Sequence, residues 1–413
     1  MDNKLNSVLV VGFNTRPLAY SLNKAGYVVY AVDFFGDLDL FPFVNDFIIV
    51  MKELNKDYNY LKGNYSKFLV QYARKLYSKH QNIKFLIIGS GLDDEYEGRK
   101  LILDDLKNSE MININNDLEV IKKSRNIEKL FELIKSKGYK IPIYLPYKNF
   151  NSRGEKLNYP FILKKKKSAG GINVFKIESE NQLISLVKSF EKNEFLPSEW
   201  IIQEYIKGIP ISSTIISNGK ECEVITINRQ IIGKKFLNSP KEFMYCGNIV
   251  PAQLLKEEEA LVTDISISLT KELGLKGING FDFVLKDHYP YFMECNPRIP
   301  GSIRASETAL NLNLLDLHIK SFNPFEWENI KSLLKSAESN NFITKLIYFT
   351  PKEIDKKFIP KINSLKYIHD KSEPRNRILK GEPLCTILYE GKNISESYNG
   401  AIEVVNKINR IIE

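Results

Sequence analysis

Histidine and cysteine are scarce in this chain, with four of each among 413 residues. Cys222, Cys246, Cys295 and Cys385 are scattered without a Cys-x-x-Cys pair, which excludes a structural zinc module and a disulfide framework. The isolated histidines exclude a histidine metal cluster. No apolar run reaches the length of a membrane span, and the opening MDNKLNSVLVVGFN lacks the basic region and cleavage site of a secretory signal. A soluble, cytoplasmic protein without a membrane partner is expected. The segment VGFNTRPLAYSLNKAG lacks the three-glycine spacing of a dinucleotide fingerprint, so NAD binding is excluded too.

What is present is ordinary globular composition, 43% hydrophobic and 26% charged, in a length that suits two or three domains. The formal charge of +9 comes from lysines interleaved with glutamates, as in KSRNIEKLFELIKSKG, which reads as a solvated helix face. Nucleic acid is therefore not the expected partner. The one dense basic run is KKKK at 164–167.

Strands and helices alternate at the start. NSVLVVGF and KFLIIGSG are continuous apolar runs, as in parallel strands buried on both faces, with YVVYAVD between them. An open parallel sheet is expected over roughly the first 115 residues. Ligands in such sheets sit at the carboxyl ends of strands, which singles out Asn14, Thr15 and Arg16, then Asp33, then GSGLDD at 89–94. A helix is expected from near Ser124 to Gly138, followed by a polar connector at 147–158. Strands and hairpins come next, then a helix with Leu261, Ile265, Leu269 and Leu273 at i+4 spacing, stopped by Gly274. A smaller tail runs from about 330 to the end.

GINGFDFVLKDHYPYFMECNPR reads as a hairpin turning around Asp287, His288 and Tyr289. Centred on His288, it sets Asp282 opposite Glu294 and Gly280 opposite Asn296. Paired residues share a face of the sheet, and two opposed carboxylates repel unless something neutralises them. A hard divalent cation does so, since Mg²⁺ takes carboxylate and amide oxygens and leaves room for phosphate. Asp282, Glu294 and Asn296 are the candidate metal ligands. Arg298, just past the strand, suits a transferring phosphoryl oxygen.

YPFILKKKKSAGGINVFKI is a strand, a basic glycine-containing loop and a second strand. Lys164 is placed to reach nucleotide phosphates, with the amides of Ser168, Gly170 and Gly171 folding over them. WIIQEYIKG is an apolar strand running into a linker with backbone groups to offer an adenine.

In this order the segments resemble the ATP-grasp superfamily, which includes biotin carboxylase and D-alanine–D-alanine ligase. The resemblance covers about residues 1–325, and GFDF…MECNPR is its most specific part. It implies a mixed α/β and α+β fold: a pre-ATP-grasp, Rossmann-like open parallel sheet (1–118), a two-lobed ATP-grasp domain (119–325) and a small C-terminal α+β region (326–413). It implies ATP and Mg²⁺ (or Mn²⁺) as cofactors. By resemblance, Arg125 or Lys129 is the early basic phosphate contact and Lys164 the strand lysine. Gln203 stands where a hinge glutamate is usual, and Glu204 and Ile206 offer backbone groups to adenine. Arg298 resembles the arginine of the acyl-phosphate step.

Two positions depart from the pattern. GIPISS carries no carboxylate for ribose, and Gly280 replaces an arginine of the peptide-ligase members, for which Arg229, Lys234 or Arg304 are the available substitutes. At finer grain the N-terminal segment resembles archaeal and methylotroph carboligase-like ATP-grasp proteins, an association that points to one-carbon cofactor assembly. The expected function is an ADP-forming ligase that joins a small-molecule carboxylate to an amine, with Asn14, Arg16, Asn228 and Tyr245 as substrate contacts. A bicarbonate-using carboxylase and a non-catalytic nucleotide-binding subunit are the alternatives. A homodimer is compatible with this reading.

Overall fold

Strands of Val, Ile and Leu with nothing polar between them must be covered on both sides, and the N-terminal sheet meets that demand. It consists of β1 (Ser7–Gly12), β2 (Val28–Asp33), β3 (Asp46–Ile49), β4 (Phe85–Ile88) and β5 (Ile112–Asn113), all parallel, in the order β3-β2-β1-β4-β5. Val8 and Val10 of the central β1 pack with Leu18 and Leu22 of the helix Arg16–Lys24. Leu9 and Val11 face the other way, onto Leu69 and Leu76 of the helix Tyr65–Lys79. The expected open parallel sheet is there. The structure, a computed structural model, describes residues 6–56, 58–61, 64–106, 110–150, 157–190, 195–337, 339, 341–374 and 377–413. Residues 151–156 of the polar connector lie outside that set.

In place of one helix from Ser124 to Gly138 there are two, Leu118–Arg125 and Ile127–Ser136. Asn126 breaks them, because its side chain accepts a hydrogen bond from the Lys129 amide (3.2 Å) and so caps the second helix. Gly138, with φ of 81°, is the stop that was expected.

A four-stranded antiparallel sheet follows: β6 (Tyr144–Pro146), β7 (Phe161–Lys165), β8 (Val174–Ile177) and β9 (Trp200–Glu204), ordered β6-β9-β7-β8. Alternation divides its faces. Phe161, Leu163, Trp200 and Ile202 build a small core with Leu183. Ile201, from the opposite face, packs with Ile211, Phe281 and Phe292 of the next sheet.

That next sheet has eight strands. They are β10 (Ile209–Asn218), β11 (Cys222–Ile232), β12 (Tyr245–Val250), β13 (Lys276–Lys286), β14 (Tyr289–Asn296) and β15 (Phe342–Phe349), with β17 (Ile368–His369) and β19 (Pro383–Gly391). The order is β14-β13-β10-β11-β12-β15-β19-β17, and β16 (Ile354–Asp355) pairs separately with β18 (Arg377–Ile378). Strands from beyond residue 325 thus extend the sheet that carries the metal hairpin. The helix Ile394–Ile412 covers them through Val404, Val405 and Ile408. Ile265, Leu269 and Leu273 of the helix Lys256–Leu273 are buried as their spacing predicts, and Gly274 ends it at φ 70°. Among the described residues no helix is long and apolar enough to cross a membrane.

Candidate active site

The pairing of β13 with β14 sets Asp282 opposite Glu294 and Gly280 opposite Asn296. The turn is tighter than the sequence suggests. Lys286 pairs with Tyr289, and only Asp287 and His288 turn, both at positive φ (50° and 62°). A hairpin centred there would misalign the carboxylates by one residue. A bulge between Asp282 and Phe283 restores the register, because Phe283 pairs with Phe292 and leaves Met293 as the extra residue.

Asn296 donates its Nδ2 to Asp282 Oδ2 (2.9 Å), and Gln230 on β11 donates Nε2 to Oδ1 (2.9 Å). Burial and the neighbouring Glu294 charge push the Asp282 carboxyl up to about 6. Glu294 meets two cations, with Oε2 accepting from Lys164 Nζ (2.9 Å) and Oε1 from Arg125 Nη1 (2.9 Å). Burial would raise this carboxyl, but Lys164 and Arg125 outweigh it and bring it down to about 2. The two carboxyls are therefore pushed apart, Glu294 ionised at any ordinary pH and Asp282 taking up a proton already on mild acidification. The donor set is hard oxygen throughout, two carboxylates and an amide, with Lys164 and Arg125 bonded to Glu294. That set fits a divalent cation such as Mg²⁺, which needs few protein ligands when phosphate supplies others.

The helix break at Asn126 places Arg125 at a helix end, nearly buried and turned into the cleft. Asp94, past the end of β4, accepts from Arg125 Nε (3.1 Å) and Nη2 (3.0 Å), while Ser168 O accepts from Nη2 (2.7 Å). Lys129, the alternative read from sequence, is exposed. Arg298 is held in the same manner, with Nε on Asp93 Oδ1 at 2.5 Å. Burial opposes ionisation of Asp93, but Arg298, Arg125 and Arg99 pull it down to about 2. GSGLDD, singled out from sequence as a ligand-binding strand end, thus positions both arginines of the hairpin cluster.

Lys164 lies across from Ile201 on β9, which makes Gln203 its diagonal neighbour on the face turned to the large sheet. Lys165 projects to the other face and pairs with Glu199 at 3.1 Å. Ile206 is buried, and Glu204 ties to the edge strand, its amide donating to Ile143 O (2.7 Å) and its Oε2 accepting from the Ile143 amide (3.3 Å). The glycine loop rests against the segment before β12: the Tyr245 amide donates to Gly170 O (3.3 Å) and Lys241 Nζ to Ile172 O (2.7 Å). A Cβ on Gly171 would stand 1.8 Å from Phe243 O.

Six buried side-chain polar atoms lack a hydrogen-bond partner among the described residues, and three belong to residues named from sequence: Ser168 Oγ, Gln203 Oε1 and Asn228 Oδ1. Buried polar groups are rarely left so, and each such atom asks for a ligand or water. Asn228 is two strands from Asp282, through Ser212, and donates to Ser302 Oγ (3.2 Å). The Tyr245 hydroxyl bonds Asn248 Oδ1.

The remaining candidates lie elsewhere. Arg16 is buried and committed to Asp370 Oδ1 (2.8 Å), with Asp39 at 3.5 Å; its amide bonds the half-buried Asn14 Oδ1 (3.2 Å). Asp33 staples the first two βα turns by accepting from Thr15 and the Gly36 amide. Arg304 stacks on Tyr20 (4.3 Å) and lines a separate cavity of about 570 Å³ with Lys24 and Glu307. Lys345, on β15, is a buried residue that the sequence reading missed entirely.

Residues 126–302 match the family model of the ATP-grasp domain. An uncharacterized protein of Methanocaldococcus jannaschii is 28% identical over 409 residues, covering 96% of this chain and 91% of that protein. The fold is that of the L-amino acid ligase from Bacillus licheniformis (TM-score 0.67, 16% identity, 97% of both chains). It is also that of the biotin carboxylase–β,γ-ATP complex from Campylobacter jejuni (TM-score 0.70, 13% identity, 96% of this chain and 89% of the other).

Proposed function

From a chain that carries an ATP-grasp domain, we propose an ADP-forming ligase that couples a small-molecule carboxylate to an amine. The observation that carries this reading is the Asp282–Glu294–Asn296 hairpin with Lys164, Arg125 and Arg298 gathered around it. Asp282, Glu294 and Asn296 would hold Mg²⁺ or Mn²⁺, whose bound charge screens phosphate oxygens. Lys164 and Arg125 take phosphate in exchange for Glu294. Gln203, Glu204 and Ile206 read the base, and Ser168, Gly170 and Gly171 cover the phosphates.

The γ-phosphoryl group of ATP passes to a carboxylate oxygen of the acid, with ADP leaving. The amine lone pair then attacks the acyl carbon, and phosphate departs with the C–O electron pair as the amine loses a proton. Arg298, aimed by Asp93, steadies the charge that gathers on the phosphoryl oxygens. Tyr245 and Asn228 contact the acid. The pre-ATP-grasp sheet, extending to about residue 118, supplies the aspartates that orient both arginines, and residues from about 326 supply the outer strands of the sheet.

ADP release tests this reading, with acids and amines of one-carbon cofactor assembly first in the screen. The expected result is release that needs both an organic acid and an amine and is indifferent to bicarbonate in carbon-dioxide-depleted buffer. Strict bicarbonate dependence replaces it with carboxylation. ATP binding without turnover on any acid replaces it with a nucleotide-binding subunit.

A further inference from the structure

Lys345 is a charged residue in an interior row. It pairs across β15 and β12 with Asn248, and Asn248 pairs across β12 and β11 with Gln230. Cross-strand partners share a face, and Gln230 hands the row on to Asp282 through its 2.9 Å hydrogen bond. Asp282, Gln230, Asn248 and Lys345 therefore form one polar line running from the hairpin toward the C-terminal strands. Asn248 is 1% exposed and Lys345 8%.

The Lys345 ammonium donates to Gly301 O (2.7 Å), three residues past Arg298, and stands 5.9 Å from the Tyr245 ring centre. Gly301 in turn faces Tyr245, since a Cβ there would lie 3.8 Å from its hydroxyl. An ammonium has three donors, and a carbonyl uses one of them. Among the described residues no carboxylate lies within 4.0 Å of Lys345. The acid closest in charge, Asp370, is already bonded to Arg16. Burial lowers the pKa of Lys345, and Arg16 adds to that while Asp370 opposes it. Lys345 and Arg16 together hold Asp370 ionised, but a buried ammonium with no directly bonded carboxylate is still costly to keep, and an anion bonded to it lowers that cost.

We propose that Lys345, with Tyr245 beside it, anchors an anionic group of the small-molecule substrate, at the end of the polar row away from the carboxylate hairpin. The proposal rests on the ligase reading and adds a property of its substrate. The acid or the amine must carry a second anionic group, remote from the reacting atoms. A carboxylate is the favoured source and a phosphate monoester the other.

Lys345→Met keeps the volume and removes the charge; Lys345→Arg keeps the charge. In steady-state ADP release, Lys345→Met should raise KM for the anionic substrate about ten- to a hundredfold, the range of a lost charge-assisted contact. KM for ATP should stay within about twofold, and Lys345→Arg should recover part of the loss. The urea midpoint of Lys345→Met should equal or exceed that of the wild type, because an unpaired buried charge has gone. A marked fall in midpoint with unchanged KM would make Lys345 a structural tether of Gly301 and overturn the proposal.

A second measurement works without turnover. With saturating Mg²⁺–ADP, thermal midpoints are compared in succinate, L-glutamate and inorganic phosphate. At least one should raise the wild-type midpoint and leave Lys345→Met unmoved. Succinate or glutamate doing so marks a carboxylate, phosphate alone a phosphate monoester, and no selective effect refutes the anchor. Absence of wild-type turnover alongside a selective midpoint shift would count against the ligase reading while upholding the anion site.

Discussion

Replacing Glu294 with Gln removes one charge and almost no volume, so its cost can be worked from the groups around it. Arg125 and Lys164 each approach one oxygen at 2.9 Å, and together they hold the carboxyl near 2 against the 4.5 of a free glutamate. At about 1.4 kcal/mol per pK unit this is roughly 3 kcal/mol favouring the ionised form. A fifth of the side chain, 21%, is open to solvent, so about 2–3 kcal/mol is the fair figure. Glu294→Gln should therefore be less stable by that amount in urea titration, because Lys164 loses its counter-charge and Arg125 keeps only Asp94. Activity should suffer more than stability, since an amide in place of the carboxylate brings no negative charge to the cation. ADP release from the folded variant should fall on the order of a hundredfold or more. Both quantities are read on one preparation, by urea titration followed by circular dichroism and by coupled ADP assay. Wild-type midpoint and near-normal ADP release together would falsify the assignment of Glu294.

Lys164→Ala should weaken ATP binding far more than Lys165→Ala, because the first points at Glu294 and the second at Glu199 on the outer face; equal effects in equilibrium binding would reduce the lysine run to a charged surface. Gly171→Ala should raise KM for ATP about tenfold or more, since the added carbon would sit 1.8 Å from Phe243 O at a φ of 77° and must lift the loop; an unchanged KM refutes a covering role. His318 is buried, accepts from the Ile278 amide at Nδ1 (2.9 Å), and is pushed by burial down to about 4. The unfolded chain binds this proton below about pH 6.5 while the fold does not, so stability should decline as pH drops from about 6.5 toward 4, by up to roughly 3 kcal/mol. His318→Gln should lose less across that window in urea titrations, and an identical decline would clear His318 of the effect.

Alternation placed Glu294 and Asn296 on one face of their strand, but their opposition to Asp282 and Gly280 followed from a turn centred on His288 and holds only because the bulge at Met293 offsets the true centre between Asp287 and His288. The centre of the hairpin was not legible. Asp287 and His288 sit at positive φ without glycine, and the bulge at Met293 leaves no mark in the hydrophobic pattern. The break at Asn126 was missed because apolar periodicity runs across it, yet it is what turns Arg125 into the cleft. GSGLDD was found as a strand end, but its partners are some two hundred residues away for Arg298 and were beyond any local pattern. Arg16 was placed at the correct end of β1, and its neutralisation by Asp370 depends on tertiary contact alone. Nothing in FITKLIYF marks Lys345 as buried, and only packing shows both faces of that strand covered, Leu346 by Val404 and Ile408 and Ile343 by Ala305 and Ala309.

The place of β15 between β12 and β19 has a consequence for how the chain is made. Ribosomes release the hairpin, the glycine loop and both arginines well before residues 342–349 emerge. Until they do, the row Tyr245–Val250 presents unpaired amides and carbonyls along one side of a nearly finished sheet. Such an edge recruits any extended strand, including the same one from a neighbouring nascent chain. A polypeptide ending near residue 325 would carry every phosphate-facing group and still be expected to aggregate. Closure of the sheet that carries the hairpin thus waits for strands that leave the ribosome last.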